Sequence, residues 1–185
     1  RDEQLPAAKI LGVKDVRFLP FEDGGMYDEV ALRIEIAKVI AEIKPDVVIG
    51  PDHKLYPESH PDHLRVGEAV SKAYFMCSNV NMMKSVGATQ IAKPTVLAYY
   101  FTGKPNRFVK ITKKDFEKTK AAYACFVSQC PPPDNGKSLM LYMRLKVRLN
   151  GLRSFHIRAD AFRVMNNMHI HCCGEAEDTA IRRPL

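Results

Sequence analysis

A short apolar run, PDVVIGP (45–51), constrains the fold more than any other segment. Turn residues bound it on both sides, and such a compact run is typical of a buried strand in a parallel sheet. One amphipathic helical pattern precedes it, from the predicted N-cap Asp28 to the residue before Pro45. Another follows it, from Pro61 to about Cys77. Because parallel strands need right-handed crossover connections, we predict an α/β fold with a mostly parallel sheet and flanking helices.

The remaining segments add weaker patterns to this prediction. We expect a helix over residues 2–11 that ends at Gly12, and a short strand over DVRFLP (15–20), which alternates and stops at a proline. SLMLYMRLKVRL (138–149) suits a helix or a strand, and the sequence leaves both open. Other predicted elements are strands at 95–101 and 107–112, a helix at 113–129 and an extended segment at 155–165.

The bulk composition fits one globular domain. The chain has 185 residues, 46% of them hydrophobic, which is enough for a substantial core. We predict a single domain over 1–168 and a loosely held tail over 169–185. No apolar run reaches about 18 residues, so no membrane span is predicted, and no secretory signal is visible. The five cysteines are irregularly spaced, which predicts reduced thiols and a cytoplasmic protein.

The HPDH stretch (60–63) is the strongest candidate for chemistry. Pro61 suits the first helical position, so His60 is the predicted N-cap residue, and Asp62 and His63 lie in the first turn. The positive end of the helix stabilises the Asp62 carboxylate and favours the neutral form of His63, which is the form that binds metals. Asp62 is also close enough to orient one of the two imidazole rings.

The position of this stretch in the predicted sheet supports a functional interpretation. Sites in α/β sheets gather at the carboxyl ends of the strands, and both Asp23 and HPDH follow predicted strands. The plainer alternative is an ordinary helix start. Histidine near a helix N-terminus is often merely exposed, and Pro61 and Asp62 have ordinary capping explanations.

The net charge of +7 is compatible with other kinds of function. Six basic residues and no acidic one lie between Asn135 and Ala159. Such a segment suits nucleic acid, an anionic small substrate or plain solvent. It contains no known nucleic-acid-binding module, so we disfavour nucleic acid. HIHCC (169–173) is a weak metal candidate, because adjacent cysteines give poor geometry for one tetrahedral ion.

Four segments, in a fixed order along the chain, match a known pattern: AAKILGV (7–13), FLPFEDGGM (18–26), PDVVIGP (45–51) and HPDHLRVGEAV (60–70). Together they resemble the LmbE/PIG-L family of zinc-dependent N-acetylglucosaminyl deacetylases, and HPDH is the specific element among them. The resemblance implies a Rossmann-like sheet. It also implies a hydrolase that removes the acetyl group from a substrate containing N-acetylglucosamine.

The resemblance also implies residue roles. His63 matches the histidine that binds zinc, and His60 matches the histidine that stabilises the oxyanion. Asp62 matches the orienting partner of that second histidine, and Asp23 an acidic residue of the substrate pocket. The implied cofactor is Zn²⁺, with another divalent transition metal as the alternative, and the implied chemistry is attack on the acetyl carbonyl by metal-activated water.

One element of the family pattern is absent from the sequence. The family's other zinc ligands and its general base lie in an Ala-His-Pro-Asp-Asp-Glu element, which occurs nowhere in the 185 residues. We therefore expect the first strand-helix-strand unit to be missing and the active site to be incomplete. Two alternatives stay open: an inactive relative that binds a sugar and, less favoured, a basic nucleic-acid-binding domain. The particular N-acetyl sugar and any homo-oligomer are also left open.

Overall fold

The computed structural model describes residues 1–171, which contain both helices and strands. In chain order the elements are α1 (Gln4–Leu11), α2 (Glu29–Ile43), β1 (Val47–Pro51), α3 (Pro61–Met76), α4 (Val80–Ser85), β2 (Val96–Tyr100), β3 (Arg107–Lys110), α5 (Lys113–Tyr123), a 3-10 turn (Val127–Gln129), α6 (Lys137–Arg153), β4 (Ala159–Met165) and α7 (Asn167–His171).

The chain divides into two compact units. One consists of Arg1–Phe18 and Phe108–Asp160, and the other of Leu19–Arg107 and the described residues from Ala161 onward. The single domain over 1–168 stays a prediction. Of the predicted tail over 169–185, only the first three residues lie among those described, and they belong to α7.

The four strands form one sheet in the order β1-β2-β4-β3. β1 and β2 run parallel, with Val47 opposite Val96 and Pro51 opposite Tyr100. β4 runs antiparallel to β2, with Tyr99 opposite Arg163. The α/β class is thus confirmed, but the mostly parallel sheet is wrong in part. An extended pattern such as 155–165 carries no information on strand direction, and mixed sheets of this kind are common.

β1 is less buried than its composition predicts. Gly50 and Pro51 are buried, but Val47 and Ile49 are 42% and 56% exposed. The reason is the position of β1 at the end of the described sheet, where β2 is its one neighbouring strand. Apolar composition alone does not distinguish such an edge strand from a central one.

Several local predictions are confirmed and two are corrected. Asp28 caps α2 by accepting a hydrogen bond from the amide of Ala31 at 2.8 Å, and Gly12 ends α1 in the left-handed conformation. The ambiguous segment 138–149 lies within helix α6. Residues 15–20 are irregular and not a strand, because they pair with no strand within residues 1–171. α5 ends at Tyr123, earlier than predicted.

Helix α3 packs closely on the end of β1 in the second unit. Gly67 makes this possible, since a Cβ there would clash with the carbonyl oxygen of Pro51. Farther along, α3 contributes to a core whose buried members are Ala37, Ile40, Ala41, Ala73, Met76, Cys77, Met83 and Ala92. This packing places the first turn of α3 beside the carboxyl end of the parallel strands.

Two other expectations concern the membrane and the cysteines. In the part of the chain that the structure describes, no helix has both the length and the apolar character to cross a bilayer. Cys77, Cys125 and Cys130 are free thiols. The remaining pair, which belongs to the HIHCC candidate, lies outside the described residues.

Candidate active site

The first turn of α3 begins as the sequence predicts. His60 is the N-cap residue, with an extended backbone (φ −70°, ψ 117°), and Pro61 occupies the first helical position. The imidazole of His60 makes no capping hydrogen bond to the helix. Its ring is therefore not used in starting the helix, and the side chain is 49% exposed.

Asp62 ties this turn to the loop that carries Asp23. Its carboxylate oxygens accept hydrogen bonds from the amides of Gly24 at 2.7 Å and Gly25 at 3.0 Å. Both glycines have positive φ, 104° and 72°, a conformation that side chains rarely adopt. A Cβ at Gly25 would also lie 2.8 Å from Cβ of Pro61. The Asp-Gly-Gly sequence is thus shaped to wrap the Asp62 carboxylate.

Three of the four predicted site residues meet at this point. Asp23, His60 and Asp62 each offer one ligand atom, and these atoms all lie within 4.8 Å of one another. Nδ1 of His60 is 3.7 Å from a carboxylate oxygen of Asp62. The structure therefore brings together residues that are far apart in sequence, at the strand-end edge where the sequence predicts a site.

The environment keeps the Asp62 carboxylate charged. Burial acts to raise its pKa, but the Gly24 amide, the side chains of Tyr27 and Asp23 and the Gly25 amide outweigh burial and lower the pKa to about 2. Burial, together with the nearby Asp62 carboxylate, raises the pKa of Tyr27 to about 12. Sequence reasoning did not single out Tyr27, although an aromatic residue just after the Asp-Gly-Gly loop was the available signal.

His63, the fourth predicted residue, has a different partner. Its Nδ1 lies 2.8 Å from a carboxylate oxygen of Glu58. The ring stacks on that of His60, with centroids 4.7 Å apart and an angle of 23° between the ring planes. The ring of Phe101, just after β2, also lies near His63, with the two ring centroids 6.0 Å apart. His63 thus stands beside the Asp23–His60–Asp62 group and is held by a carboxylate of its own.

Glu58 is the main residue that sequence reasoning missed. The other oxygen of its carboxylate accepts hydrogen bonds from the amides of Ser59 and His60, both at 2.9 Å. The bond to His63 is the leading cause that lowers the pKa of Glu58 to about 2, with the His60 amide next. In the sequence, Glu58 could be noticed only as an acidic residue two positions before the predicted N-cap His60.

A buried ion pair anchors the start of the loop that carries Glu58 and His60. Asp52 directly follows β1, and its carboxylate oxygens lie 2.9 Å and 2.5 Å from Nε and Nη2 of Arg163 on β4. Both side chains are 3% exposed. The guanidinium also lies over the ring of Tyr99, 4.4 Å from its centroid. Neither charged residue stood out in the sequence, because strand pairing is what brings them together.

The donors at this edge suit a divalent transition metal in type. With Nδ1 facing the Glu58 carboxylate, His63 has Nε2 left for a metal. His60, Asp23 and Asp62 add a ring nitrogen and carboxylate oxygens, the donors that zinc accepts. Both oxygens of Asp62 accept backbone hydrogen bonds, which hold the carboxylate 3.7 Å from Nδ1 of His60.

Fold and site together define a class: an α/β protein with a histidine–carboxylate site at the carboxyl edge of its parallel strands. Residues 1–74 match the family model described as PIG-L: GlcNAc-PI de-N-acetylase. The chain is 32% identical over 176 residues to the diacetylchitobiose deacetylase of Thermococcus kodakarensis, covering 93% of this chain and 64% of that protein.

Two further matches agree. A probable N-acetyl-α-D-glucosaminyl L-malate deacetylase 2 of Bacillus anthracis is 38% identical over 78 residues, covering 40% of this chain and 33% of that protein. The structure of N,N'-diacetylchitobiose deacetylase from Pyrococcus horikoshii matches with a TM-score of 0.81 at 28% identity, covering 92% of this chain and 64% of that one. These matches confirm the LmbE/PIG-L kinship that the motifs predicted. The chain spans about 64% of the length of the two diacetylchitobiose deacetylases.

Proposed function

We propose that this chain acts in the metal-dependent hydrolytic removal of an acetyl group from a compound containing N-acetylglucosamine. One observation carries the proposal: Asp62 binds the Asp-Gly-Gly loop and thereby joins His60 to Asp23 at the strand-end edge. The three relatives described above are each named as a deacetylase of an N-acetylated glucosamine compound, and they support this reaction class. Zn²⁺ is the proposed metal, and an acetylated amino sugar is the proposed substrate.

Each residue receives one role in this proposal. His63 binds the metal through Nε2, and Asp23 binds the sugar. His60 donates a hydrogen bond to the acetyl oxygen as negative charge develops there, which is worth about 3 kcal/mol for one such donor in other enzymes. Asp62 keeps His60 oriented. A divalent metal, when bound, lowers the pKa of a coordinated water and polarises the carbonyl.

In this proposal the described residues supply one part of the site. Catalytic zinc takes three protein ligands, and we assign His63 alone among residues 1–171. We propose that an element of the Ala-His-Pro-Asp-Asp-Glu type completes the ligand set and supplies the general base. The 185-residue chain by itself should then bind zinc weakly, and stoichiometric zinc binding at submicromolar affinity would contradict this part of the proposal.

The decisive experiment uses the gene product that contains this chain, loaded with Zn²⁺. We expect acetate release from N,N'-diacetylchitobiose or from N-acetylglucosaminyl malate, and its loss on treatment with a chelator. His63→Ala should lose bound metal and activity together, whereas His60→Ala should keep the metal and lose turnover. A folded, metal-loaded protein that releases acetate from neither compound, yet binds one of them, would support the inactive sugar-binding relative instead.

The structure weakens the nucleic-acid alternative. Helix α6 forms most of the basic segment, and the exposed residues of this helix include Leu141, Leu145, Leu149 and Leu152, each at least 57% exposed. Leucines at these positions interrupt the basic surface that a phosphate backbone needs. Cytoplasmic location stays part of the proposal, on the strength of the free thiols, and homo-oligomer formation stays an open expectation.

A further inference from the structure

Glu58 connects three groups at the start of α3. One carboxylate oxygen accepts from the amides of Ser59 and His60, and the other lies 2.8 Å from Nδ1 of His63. We propose that Glu58 is a positioning residue that fixes the tautomer and orientation of the His63 ring, so that Nε2 is the nitrogen presented to a metal. This inference rests on the proposed function, in which His63 binds the metal.

The tautomer follows from hydrogen-bond chemistry. An ionised carboxylate can only accept, so the nitrogen that faces it must carry the proton. In a neutral imidazole the other nitrogen then carries the lone pair. For His63, whose Nδ1 faces Glu58, this leaves Nε2 as the basic atom. Metal-binding histidines generally have such a partner on their second nitrogen, and its loss typically costs about 10–100-fold in metal affinity.

The orientation of the ring is restrained from two sides. The two backbone amides hold the Glu58 carboxylate in place, so it cannot follow a rotating His63 ring without losing them. The His60 ring stacks against one face of His63, with centroids 4.7 Å apart. A ring flip would place a carbon atom against the carboxylate and bring Nδ1 to the open side. Glu58 thus selects one of the two ways in which His63 could present a nitrogen.

The sharpest test is the variant Glu58→Gln. A glutamine has one side-chain oxygen, and we expect it to take the position that accepts from the Ser59 and His60 amides. The NH₂ group would then face Nδ1 of His63. Because NH₂ donates, we expect the neutral ring to change to the tautomer protonated at Nε2. Nitrogen-15 NMR of the 185-residue chain without metal, at about pH 8, where histidine is neutral, reports the tautomer directly.

The expected result is a His63 protonated at Nδ1 in the wild type and predominantly at Nε2 in Glu58→Gln. Glu58→Ala, which removes the acceptor without adding a donor, should give a mixture of the two tautomers. Glu68→Gln is the matched control, because Glu68 lies on the same helix and pairs with Lys72 at 2.6 Å, and it should leave His63 unchanged. An unprotonated Nδ1 in the wild type, or no change in Glu58→Gln, would overturn the proposal.

A second readout connects the tautomer to the metal. In the gene product that contains this chain, Co²⁺ affinity followed by its visible absorption should fall about 10–100-fold in Glu58→Gln and stay unchanged in Glu68→Gln. An unaltered affinity with an inverted tautomer would overturn the role of Glu58 in presenting Nε2. If no form of the protein binds metal, the proposed function fails, while the NMR result still decides what Glu58 does to His63.

Discussion

Helices α3 and α6 are similar in length, 16 and 17 residues, but they use their apolar residues in opposite ways. α3 turns its predicted apolar face inward, including Val70, Ala73 and Tyr74. α6 buries Val147, Asn150 and Gly151, while its most regular apolar series, the four leucines 141, 145, 149 and 152, is exposed. Apolar periodicity therefore predicts that a helix forms, but not which of its faces is covered.

Close packing explains the difference. Small residues let the backbone of each helix approach its neighbour: Gly67 in α3 lies against Pro51, and Gly151 in α6 lies against the backbone of His156 and Arg158. A Cβ at either glycine would meet backbone atoms at clash distance. In α3 the larger apolar residues, such as Val70 and Tyr74, are buried together with Gly67. In α6 Gly151 is buried, but the four leucines are exposed.

A second contrast is chemical. The start of α3 is held by charged and polar groups from distant parts of the sequence, whereas the described contacts of α6 offer no comparable network. The buried pair Asp52–Arg163 and the Asp62–Gly24–Gly25 bonds both act in the unit that contains α3. This contrast predicts that substitutions at the start of α3 are far more damaging than substitutions on the leucine side of α6.

The largest effect is expected at the buried ion pair. Arg163→Met should lower the free energy of unfolding by about 3–5 kcal/mol, because it leaves Asp52 charged and without its main partner in the protein interior. Urea unfolding followed by circular dichroism measures this. The double variant Asp52→Leu/Arg163→Met is the control, and it should recover much of the loss because no charge stays buried. A loss below about 1 kcal/mol in the single variant would show that the pair does not anchor the loop.

A smaller and pH-dependent effect is expected at Asp62. Asp62→Ala should cost about 1–3 kcal/mol at pH 7, through two lost hydrogen bonds to a charged acceptor. The pKa of Asp62 is lowered to about 2 in the folded protein, against about 3.9 in an unfolded chain. Its contribution is therefore fully present above about pH 4 and is lost as the pH falls toward 2.

Unfolding experiments on wild type and Asp62→Ala at several pH values test this sign. The two stabilities should converge between about pH 4 and pH 2, and a gap that stays constant over this range would contradict the assignment. Asp15→Ala is a suitable control, because Asp15 is an exposed carboxylate whose described bond is a local one to Arg17. It should leave the free energy of unfolding at pH 7 within about 0.5 kcal/mol of the wild-type value.

The residues at the start of α3 differ in how far the sequence alone could predict their positions. The helix start at His60 and the cap at Asp28 could be predicted, because they depend on local chemistry. The meeting of Asp23 with HPDH was expected for a reason that is wrong in part, since residues 15–20 form no strand. Asp23 lies there because the neighbouring Gly24 and Gly25 amides bind the Asp62 carboxylate. Glu58 and Arg163 could not be predicted. Glu58 acts through a loop whose path no periodicity describes, and Arg163 reaches Asp52 only because β4 lies antiparallel beside β2.

The smallest effect is expected on the leucine side of α6, and it decides whether that side is truly uncovered. Leu145→Lys should change the free energy of unfolding by at most about 0.5 kcal/mol, since the side chain is 57% exposed and surface substitutions seldom do more. Val147→Lys, two residues farther on the same helix, should cost several times more, because it forces a charge into a side that is 7% exposed. Thermal unfolding of the two variants at equal, low protein concentration compares the two sides directly. Comparable losses of stability in both variants would mean that the leucines are covered in solution. The two helices would then differ in what covers their apolar residues, and not in whether those residues are covered.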